Sequence, residues 1–535
     1  MNYRIKLIVL CFTYQIAINA LDNHSGQLVM FTRPTFNSIG IHQASWFDFG
    51  YHAQPFGTSL QIYPIYTQSY NVQNNAEYFL FDFKNELTMC NGINPTKYLL
   101  TADGYVPENP QENQISTNSY SRDILGQWFN FDPTCTPNPP STYGTDCKTA
   151  CGTFTVQPRQ TQACCLFEIS QDVKKVTNLS FADKFYVALR LPVTYMCNNL
   201  GLKGSPNAIE ALTHGNNFAY ANFSNKNQKS TAVTNLQLLL GTKYLRDNDC
   251  HIITGTGVII PFVEQSDNQL LFQPVNGFNA HFALTGIALF QFPLVVKEDA
   301  ARSRICFFFE FENNFLARNH QMRTYDLVGK PYSKYLKFLD RKTNTTVPGT
   351  NALTIRSRVE PYNVFNMASG FRFKYKDSNG EVGYELWAHS TERVTPEPKQ
   401  PWDDSRYGIA FIDQNGDLAK IDSGGNIAPI DVATENGLTA SNSTINYVGT
   451  PDGTITVFPT LNFSQKNKYV TLQDLDTFSA AARCTVLNRA YITIGVGQKG
   501  KSRDFFANLG LYIEAPMNNC CLSMWGAWGK MGLAF

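Results

Sequence analysis

The sequence predicts an all-β protein: an antiparallel transmembrane β-barrel of roughly 12–18 strands, with long loops and a small plug or subdomain. Three observations predict this fold. Segments of ten or more residues alternate between apolar and polar side chains, as barrel strands do. The most apolar stretch, Phe282 to Val296, is too short for a spanning helix and contains Gln291 and Pro293. Charged residues make up only 16% of the chain and aromatic residues 13%, which favours lipid exposure.

The N-terminus has the pattern of an export signal. Arg4 and Lys6 precede an apolar run over residues 7–12, and the small residues Ala17 and Ala20 mark a cleavage site. We therefore expect residues 1–20 to be a signal peptide, residues 21–57 to lead into the barrel or plug it, and residues 58–535 to form the barrel. The balance of 44 Lys and Arg against 43 Asp and Glu argues against a nucleic-acid partner.

The first half of the chain contains strands separated by a long polar region. Leu60 to Gln68 is the first predicted strand, and Tyr78 to Phe83 is predicted to follow as another. Residues 84–160 are rich in Pro, Asn and Thr, which indicates a long loop or subdomain. From residue 185 the alternation is clear over more than ten residues. Ser205 to Ala219 is predicted to contain a short periplasmic helix.

Two hairpins carry charge on one face only. In the first, Phe307, Phe309 and Phe311 alternate with Phe308, Glu310 and Glu312. Because the inner face of a soluble sandwich is dry, glutamates there favour the watery lumen of a barrel. In the second hairpin, basic residues on one strand are expected beside acidic ones on its partner, and the face they share is either a lumen wall or a solvated sheet face. The residues involved are Arg372, Lys374, Lys376, Glu381 and Glu385.

The C-terminal strands are the most regular part of the chain. Residues 491–497, 507–514 and 524–535 share one alternation, which puts Trp525, Met531 and Leu533 on the lipid side and Lys530 in the lumen. The last strand ends on Phe535, and we expect it to be paired. Residues 414–465 are expected to be rich in loops, and Asp413 to Asp417 is interpreted as a turn rather than a calcium loop.

Cysteine usage gives no firm site. Twelve of the thirteen cysteines remain once Cys11 is removed with the signal, which is compatible with disulfides but fixes no pairing. Cys147 and Cys151 lack a second well-spaced ligand pair, so no metal site is predicted. We predict no cofactor.

The signal peptide, the amphipathic strands and the ending Leu533-Ala534-Phe535 together resemble bacterial outer-membrane β-barrel proteins, particularly large porin-like ones. The ending matches the hydrophobic-x-aromatic close of their assembly signal, although Lys530 stands where a glycine is usual. Residues 323–335 also look like those of uncharacterised barrels of intracellular bacteria. The resemblance implies the bacterial outer membrane as location, with outer-membrane lipid and the barrel assembly machinery as partners; Leu533 and Phe535 would carry the assembly signal.

These features predict a porin-like channel for passive diffusion of small solutes or ions, with weak ion selectivity because both signs of charge line it. The number of subunits stays open, and a homo-oligomer is one outcome. A secreted β-sandwich adhesion protein is the alternative, and a barrel phospholipase or protease ranks third. No catalytic residue is predicted, since neighbours such as His389 and Ser390 point to opposite faces of a strand. The pore-lining candidates are Arg190, Glu310, Glu312, Arg372, Lys374, Lys376, Glu385, Tyr512, Glu514 and Lys530.

Overall fold

A computed structural model describes most of the chain. The described residues are 26–37, 54–90, 123–129, 131, 151–177, 185–214, 217–246, 250–297, 303–343, 345–410, 445 and 469–535. All structural statements below refer to these ranges. The predicted loop-rich region 414–465 lies outside them, apart from Ile445.

Twelve antiparallel strands form a closed barrel, which confirms the predicted fold at the lower end of the expected strand number. Each strand pairs with its neighbours in the chain, and β1 closes the barrel against β12. The strands are β1 Thr58–Tyr70, β2 Arg159–Asp172, β3 Phe185–Asn199, β4 Asn235–Arg246, β5 Cys250–Pro261, β6 Ala283–Val296, β7 Arg304–Leu316, β8 Tyr362–Tyr375, β9 Ser378–His389, β10 Thr485–Lys499, β11 Asp504–Pro516 and β12 Ser523–Ala534.

The alternation in the sequence becomes an apolar exterior and a polar interior. On β12, Trp525, Met531 and Leu533 point outwards with more than two fifths of each side chain exposed, whereas Trp528 and Lys530 are buried inside. Most other strands repeat the pattern, because successive side chains of a strand point to opposite faces. The interior is apolar in one region, where Leu239, Ile253, Ile287 and Leu289 form a buried cluster on β4, β5 and β6. The predicted orientation of the C-terminal strand is therefore correct.

Inward aromatic rings lie flat against glycines of the neighbouring strand. Trp528 covers Gly510, where an added Cβ would be 2.3 Å from the ring, and Tyr512 covers Gly526, where it would be 2.5 Å away. Directly paired positions on β11 and β12 bring these residues together. The glycines let large rings line the wall without projecting across the lumen.

The two ends of the barrel differ. One end, here called the short-turn end, has the connections 173–184, 247–249, 297–303, 376–377 and 500–503, together with Thr58 and Phe535. The other, the long-loop end, has the connections 71–158, 200–234, 262–282, 317–361, 390–484 and 517–522.

The long connections build a cap with its own hydrophobic core, which includes Trp128, Tyr332, Tyr335 and Leu353. A disulfide joins Cys90 to Cys151 within this cap. Its short strands are Leu87–Cys90, Ile124–Leu125, Cys151–Thr155, Lys203–Gly204, Asn319–Thr324, Asp326–Leu327, Lys337–Asp340, Thr345–Pro348, Thr354–Glu360, Arg393–Pro396, Tyr407–Ile409 and Leu475–Asp476, and Gln228–Val233 extends the pairing of β3.

Four short α-helices occur among the described residues: α1 Ala76–Phe79, α2 Val173–Thr177, α3 Pro206–Thr213 and α4 Gly349–Ala352. Single 3-10 turns span Val72–Asn75, Gly126–Phe129, Ser333–Tyr335 and Leu472–Asp474. The predicted strand over Tyr78 to Phe83 is wrong, because α1 and a turn occupy it. The helix expected after Ser205 is present as α3, but it packs in the cap at the long-loop end.

Across the described ranges, none of the helices combines the length and apolar character needed to cross a membrane.

Candidate functional site in the barrel lumen

The chain enters the lumen before it forms the first strand of the wall. Residues 26–37, here called the N-terminal segment, begin in the cap, where Gly26 N donates to Leu80 O and Gln27 N to Tyr78 O, both at 2.8 Å. The segment then runs between the strands, and Phe31 and Phe36 belong to the cluster formed by inward residues of the wall. β1 begins at the opposite, short-turn end.

Aromatic contacts hold the segment against the wall and against the long connection that precedes β6. The ring of Phe31 stacks on that of Trp387, with centroids 6.1 Å apart and an angle of 14°. The ring of Phe36 meets that of Phe278 edge to face at 5.8 Å. Between them the chain turns, and Asn37 N donates to Pro34 O at 2.9 Å. Such ring contacts add about 1 kcal/mol each beyond the area they bury.

Asn37 joins the segment to three wall strands. Its amide donates to Glu312 Oε1 at 3.0 Å, and its side-chain oxygen accepts from Trp387 Nε1 at 2.8 Å. Its backbone carbonyl accepts from Asn366 Nδ2 at 3.3 Å and from Arg33 Nε at 2.8 Å. An asparagine presents one acceptor and one double donor, and here both sides of the amide are used.

Arg33 is the charged centre of the segment. Its guanidinium donates to Glu514 Oε2 at 2.7 Å, to Asn366 Oδ1 at 3.2 Å and to Glu385 Oε1. Arg489 of the wall binds the same two carboxylates, with Nε 3.0 Å from Glu514 Oε2 and Nη1 3.3 Å from Glu385 Oε2. Two arginines and two glutamates thus alternate in a ring. Buried charges are tolerated only when paired in this way, since desolvation of an isolated charge is costly.

A second ionic cluster lies on strands β7, β8 and β9. Arg372 Nε donates to Glu381 Oε2 at 2.6 Å, and the same guanidinium binds Glu310. Tyr491 donates its hydroxyl to the other Glu381 oxygen at 2.6 Å. Arg372 and Glu381 are direct cross-strand partners, with 4% and 2% of their side chains exposed. This burial identifies the charged face of the hairpin as a lumen wall and excludes a solvated sheet face.

Further charges complete the interior. Arg190 Nε donates to Glu168 Oε2 at 2.7 Å, and Lys243 Nζ donates to Asp172 Oδ2 at 2.5 Å. The ammonium of Lys530 lies 4.9 Å from the ring centroid of Tyr63, within the range of a cation–π contact.

The structure places eight of the ten pore-lining candidates as buried, inward side chains: Arg190, Glu310, Glu312, Arg372, Glu385, Tyr512, Glu514 and Lys530. Lys374 is inward but only half-buried, near the end of β8. Lys376 does not line the interior, because β8 ends at Tyr375 and the lysine lies exposed in the following turn with φ +53°. Strand alternation therefore failed only where the strand had already ended.

Sequence reasoning missed several members of the site. Arg489 shares the parity of Tyr491 and would have been found by extending that strand two residues. Glu168 belongs to an alternating strand, β2, which begins at the end of the loop predicted over residues 84–160 and was not predicted as a strand. Arg33 and Asn37 carry no periodic signal, since the segment has neither helix nor strand.

His389 and Ser390 do not form a catalytic pair. His389 Nδ1 lies 3.0 Å from the backbone oxygen of Ser390, and the serine hydroxyl donates to Pro361 O at 2.8 Å. Within the described ranges, no group of three or more His, Cys, Asp or Glu side chains is arranged to hold a metal ion.

A closed antiparallel barrel with an apolar belt outside and charged side chains inside defines a transmembrane β-barrel of the outer-membrane type. No protein-family model matches the chain, and no curated protein matches it.

Among solved structures, an outer membrane channel from Pseudomonas putida F1 is similar at 7% identity and TM-score 0.33, covering 89% of this chain and 95% of that one. A FadL homologue from Pseudomonas aeruginosa is similar at 8% identity and TM-score 0.28, covering 94% of this chain and 99% of that one. At such scores the likeness supports no functional argument.

Proposed function

We propose that the protein is a bacterial outer-membrane channel for small solutes or ions, closed in this conformation by its own N-terminal segment. The observation that carries the proposal is the wall itself. Its outer face is mostly apolar, with exceptions such as Thr254 and Thr256 on β5, whereas its inner face carries charged and amide side chains on most strands, as the wall of an aqueous pathway does.

Packing of the segment supports a closed state. Thr35, Phe36 and Asn37 are each less than a tenth exposed. A cavity beside Arg33, lined by Thr35 and Thr67, has a volume of about 10 Å³, which is room for about one water molecule. Passage of a solute therefore requires the segment to move.

The differing ends of the barrel support an orientation. Outer-membrane barrels keep short turns in the periplasm and long loops outside. By this rule, the cap faces the exterior and the end with Thr58 and Phe535 faces the periplasm. Export through a signal peptide at residues 1–20, and insertion by the barrel assembly machinery through Leu533 and Phe535, complete the proposal.

Planar-bilayer recording tests the channel. The protein without its signal peptide is compared with a chain that also lacks residues 21–37, and a heat-modifiable gel shift confirms that both barrels are folded. We expect the shortened chain to give frequent, long conductance steps and the intact chain to give rare ones. A folded, shortened barrel without conductance would contradict the channel.

A further inference from the structure

We infer that Arg33 is a built-in counter-cation, and that the channel selects cations once the N-terminal segment leaves the lumen. This inference rests on the proposed channel and names the class of solute that it passes. It assigns the segment a second effect besides obstruction: the segment neutralises the acidic groups that an open lumen presents to a permeating ion.

The geometry around Arg33 is that of a bound cation. Its guanidinium, 3% exposed, makes contacts to Glu385 and Glu514 that complete the ring with Arg489. When the segment leaves, two carboxylates share a single arginine. The local formal charge then changes from zero to minus one.

Asn37 extends the same relationship to a third carboxylate. Glu312 Oε1 accepts from Asn37 at 3.0 Å and from Asn314 of the wall at 2.7 Å. Withdrawal of the segment removes the first of these donors. The segment therefore supplies hydrogen-bond donors to carboxylates on three strands, β7, β9 and β11.

The other inward charges of the described wall do not offset the loss of the positive charge of Arg33. The buried inward side chains on the twelve strands comprise five basic and eight acidic residues. The half-buried inward residues Arg304 and Lys374, which are direct cross-strand partners, bring the balance to seven basic against eight acidic residues, a formal excess of one negative charge. The buried basic residues are Arg190, Lys243, Arg372, Arg489 and Lys530; the acidic ones are Glu168, Asp172, Glu310, Glu312, Glu381, Glu385, Asp504 and Glu514.

An acidic lumen attracts cations and repels anions, because low-dielectric walls concentrate the field of the charges they carry. From the sequence, the presence of both positive and negative residues in the lumen predicted weak ion selectivity. Their placement changes that expectation, since one of the two arginines of the ring, Arg33, belongs to the segment and not to the wall.

The test is the reversal potential in a potassium chloride gradient, measured in the folded barrel that lacks residues 21–37. We expect the sign that corresponds to potassium preference. Glu385→Gln with Glu514→Gln in the same barrel should move the reversal potential towards zero. Asp377→Asn, in the exposed turn after β8, removes one acidic charge outside the lumen and should leave the potential unchanged.

A second variant keeps the whole chain. Arg33→Gln in the intact protein should raise the frequency of openings and give openings with potassium preference. Conductance without preference, or with chloride preference, would overturn the selectivity and leave the channel standing. A folded barrel without any conductance would instead overturn the proposed function.

Discussion

Arg33 Nη1 lies 2.7 Å from Glu514 Oε2, although 481 positions of sequence separate the two residues. Glu514 belongs to β11, so the contact links the start of the described chain to one of the last strands of the wall. It can form only when the C-terminal strands have closed around the segment. Closure of the barrel and seating of the segment are therefore coupled.

Replacing Arg33 tests this coupling. Arg33→Met removes a buried charge and takes away one of the two arginines that bind Glu385 and Glu514, so we expect a loss of about 3 kcal/mol, the lower end for breaking a buried ion pair. Arg33→Lys keeps the charge but replaces the planar guanidinium, whose two terminal nitrogens bind Glu514 and Glu385 separately, with a single ammonium nitrogen, and should be intermediate. The free energy of unfolding in urea measures both. Equal stability of Met and wild-type proteins would argue against the contact.

Replacing Trp387 tests the hydrogen bond that holds Asn37 in place. Trp387→Phe keeps a ring beside Phe31 but removes the Nε1 donor, and we expect about 1–2 kcal/mol weaker seating. Hydrogen exchange of residues 28–37 should become faster. The matched control is Trp402→Phe, which loses a similar donor to Val470 O in the cap and should leave exchange of the segment unchanged.

Pro64 weakens the seam where the barrel closes. The β1–β12 ladder pairs Ile62 with Met531 and Ile65 with Trp528 and is interrupted between them at Pro64, whereas the pairing with β2 continues there, with Pro64 opposite Cys165. Proline lacks the N–H that a central strand needs. Pro64→Val should therefore raise the free energy of unfolding by about 1 kcal/mol.

The control for this seam is Pro293→Val in β6, where the register already shifts between Pro293 and Val295. A proline at such an irregularity blocks less of the ladder, so its replacement should gain less. If Pro64→Val lowers stability while Pro293→Val does not, the missing N–H of Pro64 is not what limits the stability of the β1–β12 pairing.

The apolar belt predicts that the loss of stability caused by an added charge depends on whether the residue faces lipid, and not on how exposed it is. Leu509 on β11 is 68% exposed and Val328 in the cap is 62% exposed. Leu509→Arg should cost about 2–4 kcal/mol in a bilayer, because the charge faces hydrocarbon. Val328→Arg faces water and should change stability little. Unfolding of both variants from lipid vesicles measures the difference, and equal effects would speak against lipid contact at Leu509.

Strand alternation made most of the wall predictable. Glu310, Glu312, Glu514 and Lys530 were assigned to the interior correctly, because a period of two separates the faces whatever the strand number. The limits of strands were less predictable. Lys376 was assigned to the wall, although the turn with Asp377 begins at that residue.

The centre of the site was beyond prediction from local pattern. Residues 26–37 have no helical or strand period, and the partners of Arg33 lie on β9 and β11. Contacts between such distant positions depend on how the barrel closes. For the same reason, the lipid-facing residues could be named from the sequence, whereas the occupant of the lumen could only be expected as a lead-in or plug.

The position of the N-terminal segment inside the barrel is the central claim, and a cysteine pair tests it most directly. Thr35 lies beside the native thiol of Cys164, and both side chains are buried. Mild oxidation of Thr35→Cys should link residues 35 and 164, seen as a joined peptide in non-reducing mass spectrometry, and should suppress conductance until a reductant is added. Thr35→Cys with Cys164→Ser should not form this link. Failure of residue 35 to link to Cys164 in the folded barrel would contradict the account.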